Sequence, residues 1–282
     1  MIKEIFHIGS FSISPFGVML VFAFLSSYLQ LRWGMKRLGI GDEEDASALV
    51  FAAGVGGILG AKVYYAILNM DWRLLFDRSG LVWYGGFILG ALGVIWMMRR
   101  RRLPGWPMAD VAAPALAVGY AVGRIGCFLV GDDYGRPTDL PWGVAFRHGL
   151  PETTAGNLRQ LFHVQIPPSV ADSELVRVHP TQLYETAMAL AIWAFGVWLF
   201  KRRPLPGTVA LAVLALLAVE RFLIEFLRAK DDRFFGGFTL AQGISVLVLL
   251  ILLGVWRYRR EQYRREQDRR EQGRGQAAPR QA

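Results

Sequence analysis

The segment GRIGCFLVGDDYG, Gly123 to Gly135, places an arginine near the end of an apolar run, followed by two acids and a glycine. A guanidinium is a planar fork of donors that grips carboxylate or phosphate through two parallel bonds. The segment ERFLIEFLR adds Arg221, Glu225 and Arg228, spaced i, i+4, i+7, which on a continuous helix share one face. HPTQLYE contributes His179, Gln182 and Glu185, expected on a broadly common side, and Lys62 and Tyr84 stand in other apolar stretches. Each ionisable group inside a membrane helix costs about 2.5–3.5 kcal/mol, so such groups face a cavity or a partner. Arg124, Arg221, Arg228 and Lys62 are expected to outweigh Glu225, Asp132 and Asp133. The chemistry this points to is the binding of an anion at membrane depth, and a phospholipid phosphate is the natural one.

The elements that must position these groups follow from composition. The chain has 282 residues, 53% hydrophobic and 13% aromatic, and the apolar residues are concentrated in runs. A hydrocarbon core of about 30 Å takes about 20 helical residues to cross. Seven stretches reach or approach that length: Ile13–Arg32, Ala46–Leu68, Leu81–Met98, Val111–Leu129, Pro180–Phe200, Gly207–Leu227 and Phe238–Trp256. The expectation is an all-α, polytopic membrane protein. Glycines four apart, Gly56 and Gly60, Gly86 and Gly90, Gly119 and Gly123, suit closely packed helices. Proline Pro180 suits the first position of the fifth span.

Orientation follows from basic residues, which favour the cytoplasmic side. Arg32, Lys36 and Arg37, then Arg99 to Arg102, then Lys201 to Arg203, and the tail from Arg257 all fall on one side. The other side mixes bases with acids, as in RAKDDRF. The N-terminus is therefore expected outside and the C-terminus in the cytoplasm. Residues 131–178 form an external loop, with a short helix around Leu158–Phe162. The RREQ-rich tail, 257–282, is expected to be a disordered topology anchor that can dock on anionic lipid. No removable signal peptide is expected, since the N-terminus lacks a basic n-region. The net charge of +9 does not indicate nucleic-acid binding, because the bases lie between the spans and in the tail. One cysteine, Cys127, leaves no internal disulfide and no cysteine pair for a metal.

With this topology, Arg124, Arg221, Glu225, Arg228, Lys62, Tyr84 and the HPTQLYE groups come from five spans to one depth, the outer leaflet. Each has a purely structural alternative. Arg221–Glu225 could be a helix pair, Lys62 could snorkel, Asp132 and Asp133 could form a turn, and His179 could bond a loop.

These motifs resemble the prolipoprotein diacylglyceryl transferase family. GRIGCFLVGDDYG is similar to its GR-x-G-N-F-x-N-x-E-x-x-G signature, and WYGGFILG to its H-G-G-L-I-G. HPTQLYE, ERFLIEFLR and TLAQGIS follow in order, so the resemblance covers the chain apart from the tail. It implies transfer of a diacylglyceryl group from phosphatidylglycerol to the thiol of a lipobox cysteine in a prolipoprotein signal peptide. A thioether forms and glycerol phosphate leaves, without cofactor or metal. It also implies a bacterial inner-membrane enzyme whose site faces the periplasmic leaflet.

The implied residue roles are carried motif by motif. Arg124 and Arg221 would stabilise the departing phosphate, and Glu225 would orient Arg221. Tyr84 and His179 are the candidate bases for the thiol. Asp132, Gly135, Gly85, Gly86, Gln182, Tyr184, Arg228 and Lys62 would line the phosphatidylglycerol site. The chain departs from the family at Tyr84, where histidine is frequent, at Cys127 for asparagine, at Asp132 for glutamate, and at Phe16 near a common tyrosine. Cys127 is either a packing residue or a reactive thiol. Two other readings compete: a non-catalytic lipid-binding or lipid-moving paralogue, and a seven-span transporter. The transporter is disfavoured because no chain of ionisable groups reaches the cytoplasm.

Overall fold

The computed structural model describes residues 6–8, 11–76, 82–229 and 237–276. Two three-residue strands, β1 (Phe6–Ile8) and β2 (Phe11–Ile13), pair antiparallel and lead into a helical protein. The helices are α1 (Pro15–Leu38), α2 (Glu43–Leu68), α3 (Trp83–Arg100), α4 (Gly105–Val130), α5 (Ala155–Phe162), α6 (Thr181–Lys201), α7 (Thr208–Ile224) and α8 (Leu240–Gln276). Five of them, α1, α2, α4, α6 and α8, are long and apolar enough to cross a membrane. The other two expected spans form helices of 18 residues (α3) and 17 residues (α7). Leu81, the expected start of the third span, lies outside the described residues, as do residues 230–234 of RAKDDRF.

Local chemistry sets the ends. Ser14 caps α1, its hydroxyl accepting from the Gly17 N–H, ahead of Pro15 at the first helical position. Asp42 and Asp45 close a reciprocal capping box on α2. Pro180 stands one residue earlier than expected, as the residue preceding α6. The expected loop helix is α5, capped by Thr154.

Two apolar cores organise the molecule. The larger joins Leu31 and Met35 of α1, Ala46 and Leu49 of α2, Met108 to Ala117 of α4, and Phe200, Val209 and Val213 of α6 and α7. The smaller lies in the 131–178 loop, where Tyr134 stacks on Phe146 beside Leu158 and Val178. Large apolar side chains such as Val21, Phe51, Ile58 and Leu250 are exposed on the outside of the bundle, an arrangement suited to lipid. At the end of the bundle away from the loop core, a cation lies over each of five tryptophans. The pairs are Arg37 and Lys201 on Trp33, Arg100 on Trp96, Arg259 on Trp106, Arg202 on Trp198 and Arg260 on Trp256. Tryptophan prefers the membrane–water boundary, so this belt marks one interface.

Helices α2 and α3 touch backbone to backbone. A Cβ on Gly60 would lie 2.1 Å from the Gly85 carbonyl oxygen, and one on Gly85 would lie 2.2 Å from that of Gly60. Only glycine permits this approach.

The start of α7 is held by a buried acid on α4. Asp110 accepts from the N–H of Gly207 at 2.6 Å and of Ala210 at 2.8 Å. Replacing it by leucine would leave those donors orphaned in an apolar core. Asp110→Leu is expected to lower stability by about 1–3 kcal/mol, measured as a lower melting temperature in detergent, with Asp110→Asn less affected.

In place of the expected disordered tail, α8 continues as one 37-residue helix through Gln276. Arginine, glutamate and glutamine are good helix formers, and Gln262 donates to the Tyr258 hydroxyl one turn back at 2.6 Å. Residues 277–282 lie outside the described residues.

Candidate active site

The charged groups gather where the two cores meet. Along α4, Met108 to Ala117 belong to the larger core and Phe128 packs on the smaller, with Arg124 between them. Helix α4 ends at Gly131 in the left-handed conformation (φ 77°), which glycine adopts without strain. Asp133 follows at φ 56°. The start of α6 then fixes this turn: the Thr181 hydroxyl donates to the Asp133 carbonyl at 2.8 Å, and the Gln182 amide donates to that of Asp132.

Three short segments are woven together above the turn. The N–H of Gly135 donates to the His179 carbonyl, that of Arg136 to Leu227, and that of Ala229 to Tyr134. This pairing overturns one expectation. Arg221, Glu225 and Arg228 do not share a helix face, because α7 stops at Ile224 and Arg228 lies in a β-bridge with Gly135. The backbone bonds of Leu227 and Ala229 to the loop replace the helical ones. Arg228 nonetheless enters the cluster, from the bridge rather than from the helix.

Three arginines and three acids interlock there. Arg124 pairs with Asp133 at 3.0 Å and directly with Glu185. Arg221 pairs with Glu225 at 2.8 Å and lies 3.6 Å from Glu185. Arg228 pairs with Asp133 at 2.5 Å, and lies 3.8 Å from Glu185 and 3.7 Å from Glu225. Glu185, fully buried at 0% exposure, is among the described residues the one acid that meets all three arginines. It also accepts from the Tyr120 hydroxyl at 3.1 Å.

The expected surplus of positive charge is therefore corrected. Asp133, Glu185 and Glu225 balance the three arginines, and Asp132 and Glu220 add further acids. The count from sequence missed this because Glu185 and Glu220 were not counted with the cluster. Donors still remain unspent. The Nε atoms of Arg124 and Arg228 are buried without a hydrogen-bond partner, and the Arg221 side chain keeps 31% exposure.

The other candidates sort themselves by contact. Burial pushes the Asp132 carboxyl up from the usual range, as does the neighbouring Asp133, while the Cys127 thiol, Arg124 and Arg228 oppose the shift. Cys127 is buried, with its Sγ 3.4 Å from an Arg124 nitrogen. Gln182 is buried, and its Oε1 has no partner. His179 packs edge-on against Tyr184, with Nδ1 3.3 Å from the Tyr184 hydroxyl, and burial lowers its pKa. The Tyr184 hydroxyl also accepts from Trp142 at 2.7 Å. Lys62 is half-buried on α2. The Tyr84 side chain lies outside the described residues.

The glycines were expected beside a headgroup, and their missing side chains are accounted for by protein atoms instead. A Cβ on Gly135 would lie 2.7 Å from both the His179 side chain and the Leu227 carbonyl, and Gly85 and Gly86 press on the backbone of α2.

Tyr120, Asp133, Glu185 and Glu220 are the functional candidates that sequence reasoning left unassigned. Each carried a signal. Tyr120 is four residues before Arg124, hence on its face, and Glu220 interrupts the apolar run ALLAVERFLI. A cavity of about 190 Å³ opens beside the acids, lined by Asp132, Asp133, Tyr134, Leu150, Pro151 and Phe162. Chemically, the arrangement is a set of arginines held in fixed directions by the buried Glu185 and Glu225 and the exposed Asp133, which suits stabilisation of a developing anion.

Comparison with known proteins gives the same direction. The family model described as prolipoprotein diacylglyceryl transferase matches residues 3–258. A phosphatidylglycerol–prolipoprotein diacylglyceryl transferase of Vibrio cholerae is 34% identical over 272 residues, covering 91% of each chain. The protein of that name in Xylella fastidiosa (strain 9a5c) is 32% identical over 272 residues, 90% of each chain. That of Pseudomonas putida (strain F1) is 28% identical over 270 residues, 90% of this chain and 93% of its own.

Proposed function

The chain belongs to the prolipoprotein diacylglyceryl transferase family, and from that premise we propose how its arginine cluster carries the reaction. The enzyme transfers a diacylglyceryl group from phosphatidylglycerol to prolipoproteins. That function takes precedence over a non-catalytic lipid-binding role.

In the proposed mechanism the acceptor is a lipobox cysteine of the signal peptide. Its thiolate attacks the glyceryl carbon joined to phosphate. The C–S bond forms as the C–O bond breaks, and the electron pair leaves with glycerol phosphate. Arg124 and Arg221 take up the charge that develops on that phosphate, Arg221 through its half-exposed face. Glu225 holds Arg221 in direction, and Glu185 holds all three arginines. Fixed charges of this kind do not have to reorganise during the reaction, which is why they accelerate it. The interlocked arginines and acids are the observation that carries the reading.

Asp132 and Gln182 hold the turn that carries Asp133, and Arg228 braces it from the other side. Tyr184 and His179 form the seam with the loop, and Gly135 lets that seam close. Lys62 completes the headgroup surroundings from α2. The 131–178 loop forms a cover over the site, and the cavity beside Leu150, Pro151 and Phe162 receives part of the acceptor segment.

The topology proposed is seven crossings in the bacterial inner membrane, with the N-terminus and the site periplasmic and the C-terminus cytoplasmic. The tryptophan–cation belt, at the end away from the site, supports this through the excess of bases on the cytoplasmic side.

The test is a mass-shift assay on a lipobox peptide with purified protein in phosphatidylglycerol micelles. Wild type is expected to add diacylglyceryl, and Arg221→Ala to be slower by about 10²–10³-fold. Addition at equal rates by both proteins would remove Arg221 from the mechanism.

A further inference from the structure

One buried acid is unused by this mechanism. Glu220, on α7 beside Arg221, is 4% exposed, and its Oε1 is enclosed without a hydrogen-bond partner. Asp133, Glu185 and Glu225 each hold an arginine, whereas among the described residues Glu220 holds none. It shares the inward face of α7 with Val213 and Ile224, seven residues before and four after. Charged and titratable groups surround it: Tyr120 and Arg124 from α4, Glu185 from α6, Arg221 from its own helix and Arg228 from the bridge that follows. A buried acid in a membrane helix that is paired directly with no arginine among the described residues is costly enough to indicate a function.

The transfer requires a group to take the acceptor thiol's proton, since the free thiol has a pKa of about 8.5. A carboxylate paired with a guanidinium takes up a proton reluctantly, which sets aside Asp133, Glu185 and Glu225, and Asp132 is engaged with the Cys127 thiol. His179 is engaged with Tyr184 in the loop seam.

We propose that Glu220 is the proton acceptor for the thiol of the incoming cysteine. The proposal rests on the transferase reading. The S–H bond breaks toward the Glu220 carboxylate while sulfur bonds the glyceryl carbon. The C–O bond to phosphate breaks with its electron pair, and Arg124 and Arg221 receive that charge. Glu220 then returns its proton to the departing glycerol phosphate.

The experiment compares two lipobox peptides, one with cysteine and one with selenocysteine at the acceptor position, in phosphatidylglycerol micelles. A selenol is ionised at neutral pH and needs no base. Glu220→Gln keeps the shape of the side chain. It is expected to slow the cysteine peptide by about 10²–10⁴-fold and to leave the selenocysteine peptide within a few-fold of wild type. Its cysteine rate should recover as pH rises toward the thiol's own ionisation. Glu220→Asp, which keeps an acid, should restore part of the cysteine rate and serves as the second variant if the glutamine variant does not fold. Equal slowing of both peptides would assign Glu220 a structural role and overturn the proposal, as would an unchanged cysteine rate. Wild type inert on both peptides would instead overturn the transferase reading itself.

Discussion

Arg124→Lys is expected to lose about 10²–10³-fold in kcat/KM while the protein still folds. The charge survives but the fork does not. Arg124 reaches Glu185 with one terminal nitrogen and Asp133 with the other, and the second also lies 3.4 Å from the Cys127 sulfur. Lysine offers a single point charge on a flexible stem and satisfies one of those acids at a time. The guanidinium plane that should meet a phosphate is then lost, and at 1.36 kcal/mol per decade the barrier rises by about 3–4 kcal/mol. Steady-state transfer to a lipobox peptide, run beside a thermal melt in detergent, separates the two effects. Full activity in the lysine variant would mean that charge alone suffices and that the bidentate argument is wrong. Arg124→Ala should be worse on both measures, because it leaves Glu185 and Asp133 short of a partner.

Glu185→Ala carries the largest expected effect on stability. Its carboxylate is fully buried and lies among Arg124, Arg221 and Arg228, with the Tyr120 hydroxyl donating to it. Deleting one partner of a buried ion pair costs about 3–5 kcal/mol, because the remaining charge is left uncompensated. Three guanidiniums share this acid, so the upper end of that range is expected, seen as poor yield or a sharply lower melting temperature. Glu185→Gln keeps the acceptor for Tyr120 and should fold better than alanine, yet lose activity with it because the arginines are no longer held in direction. A glutamine variant with wild-type activity would remove Glu185 from its central place.

Much of this protein is legible without coordinates. Hydropathy is a local property, so the apolar runs mark the helices, and the basic residues that follow them become the cations resting on interfacial tryptophans. Glycine at four-residue spacing suited closely packed helices without saying which; the structure realises this between α2 and α3, while a Cβ on Gly123 would meet nothing within 4 Å. The arginines at 124 and 221 were visible because nothing local justifies a charge in an apolar run.

Pairing was not legible. Glu185 lies one turn into α6, 61 residues after Arg124, and only the folding back of the 131–178 loop brings the two together. Arg228 read as the third member of a helical stripe. Backbone bonds from Tyr134 and Arg136, about 90 residues earlier, end the helix before it. The amino-acid sequence by itself determined the main helices, the arginines that interrupt them and the family. The tertiary structure decided which acid each arginine holds, and that among the described residues Glu220 holds none, because a charge in low dielectric is governed by its neighbours in space rather than in sequence.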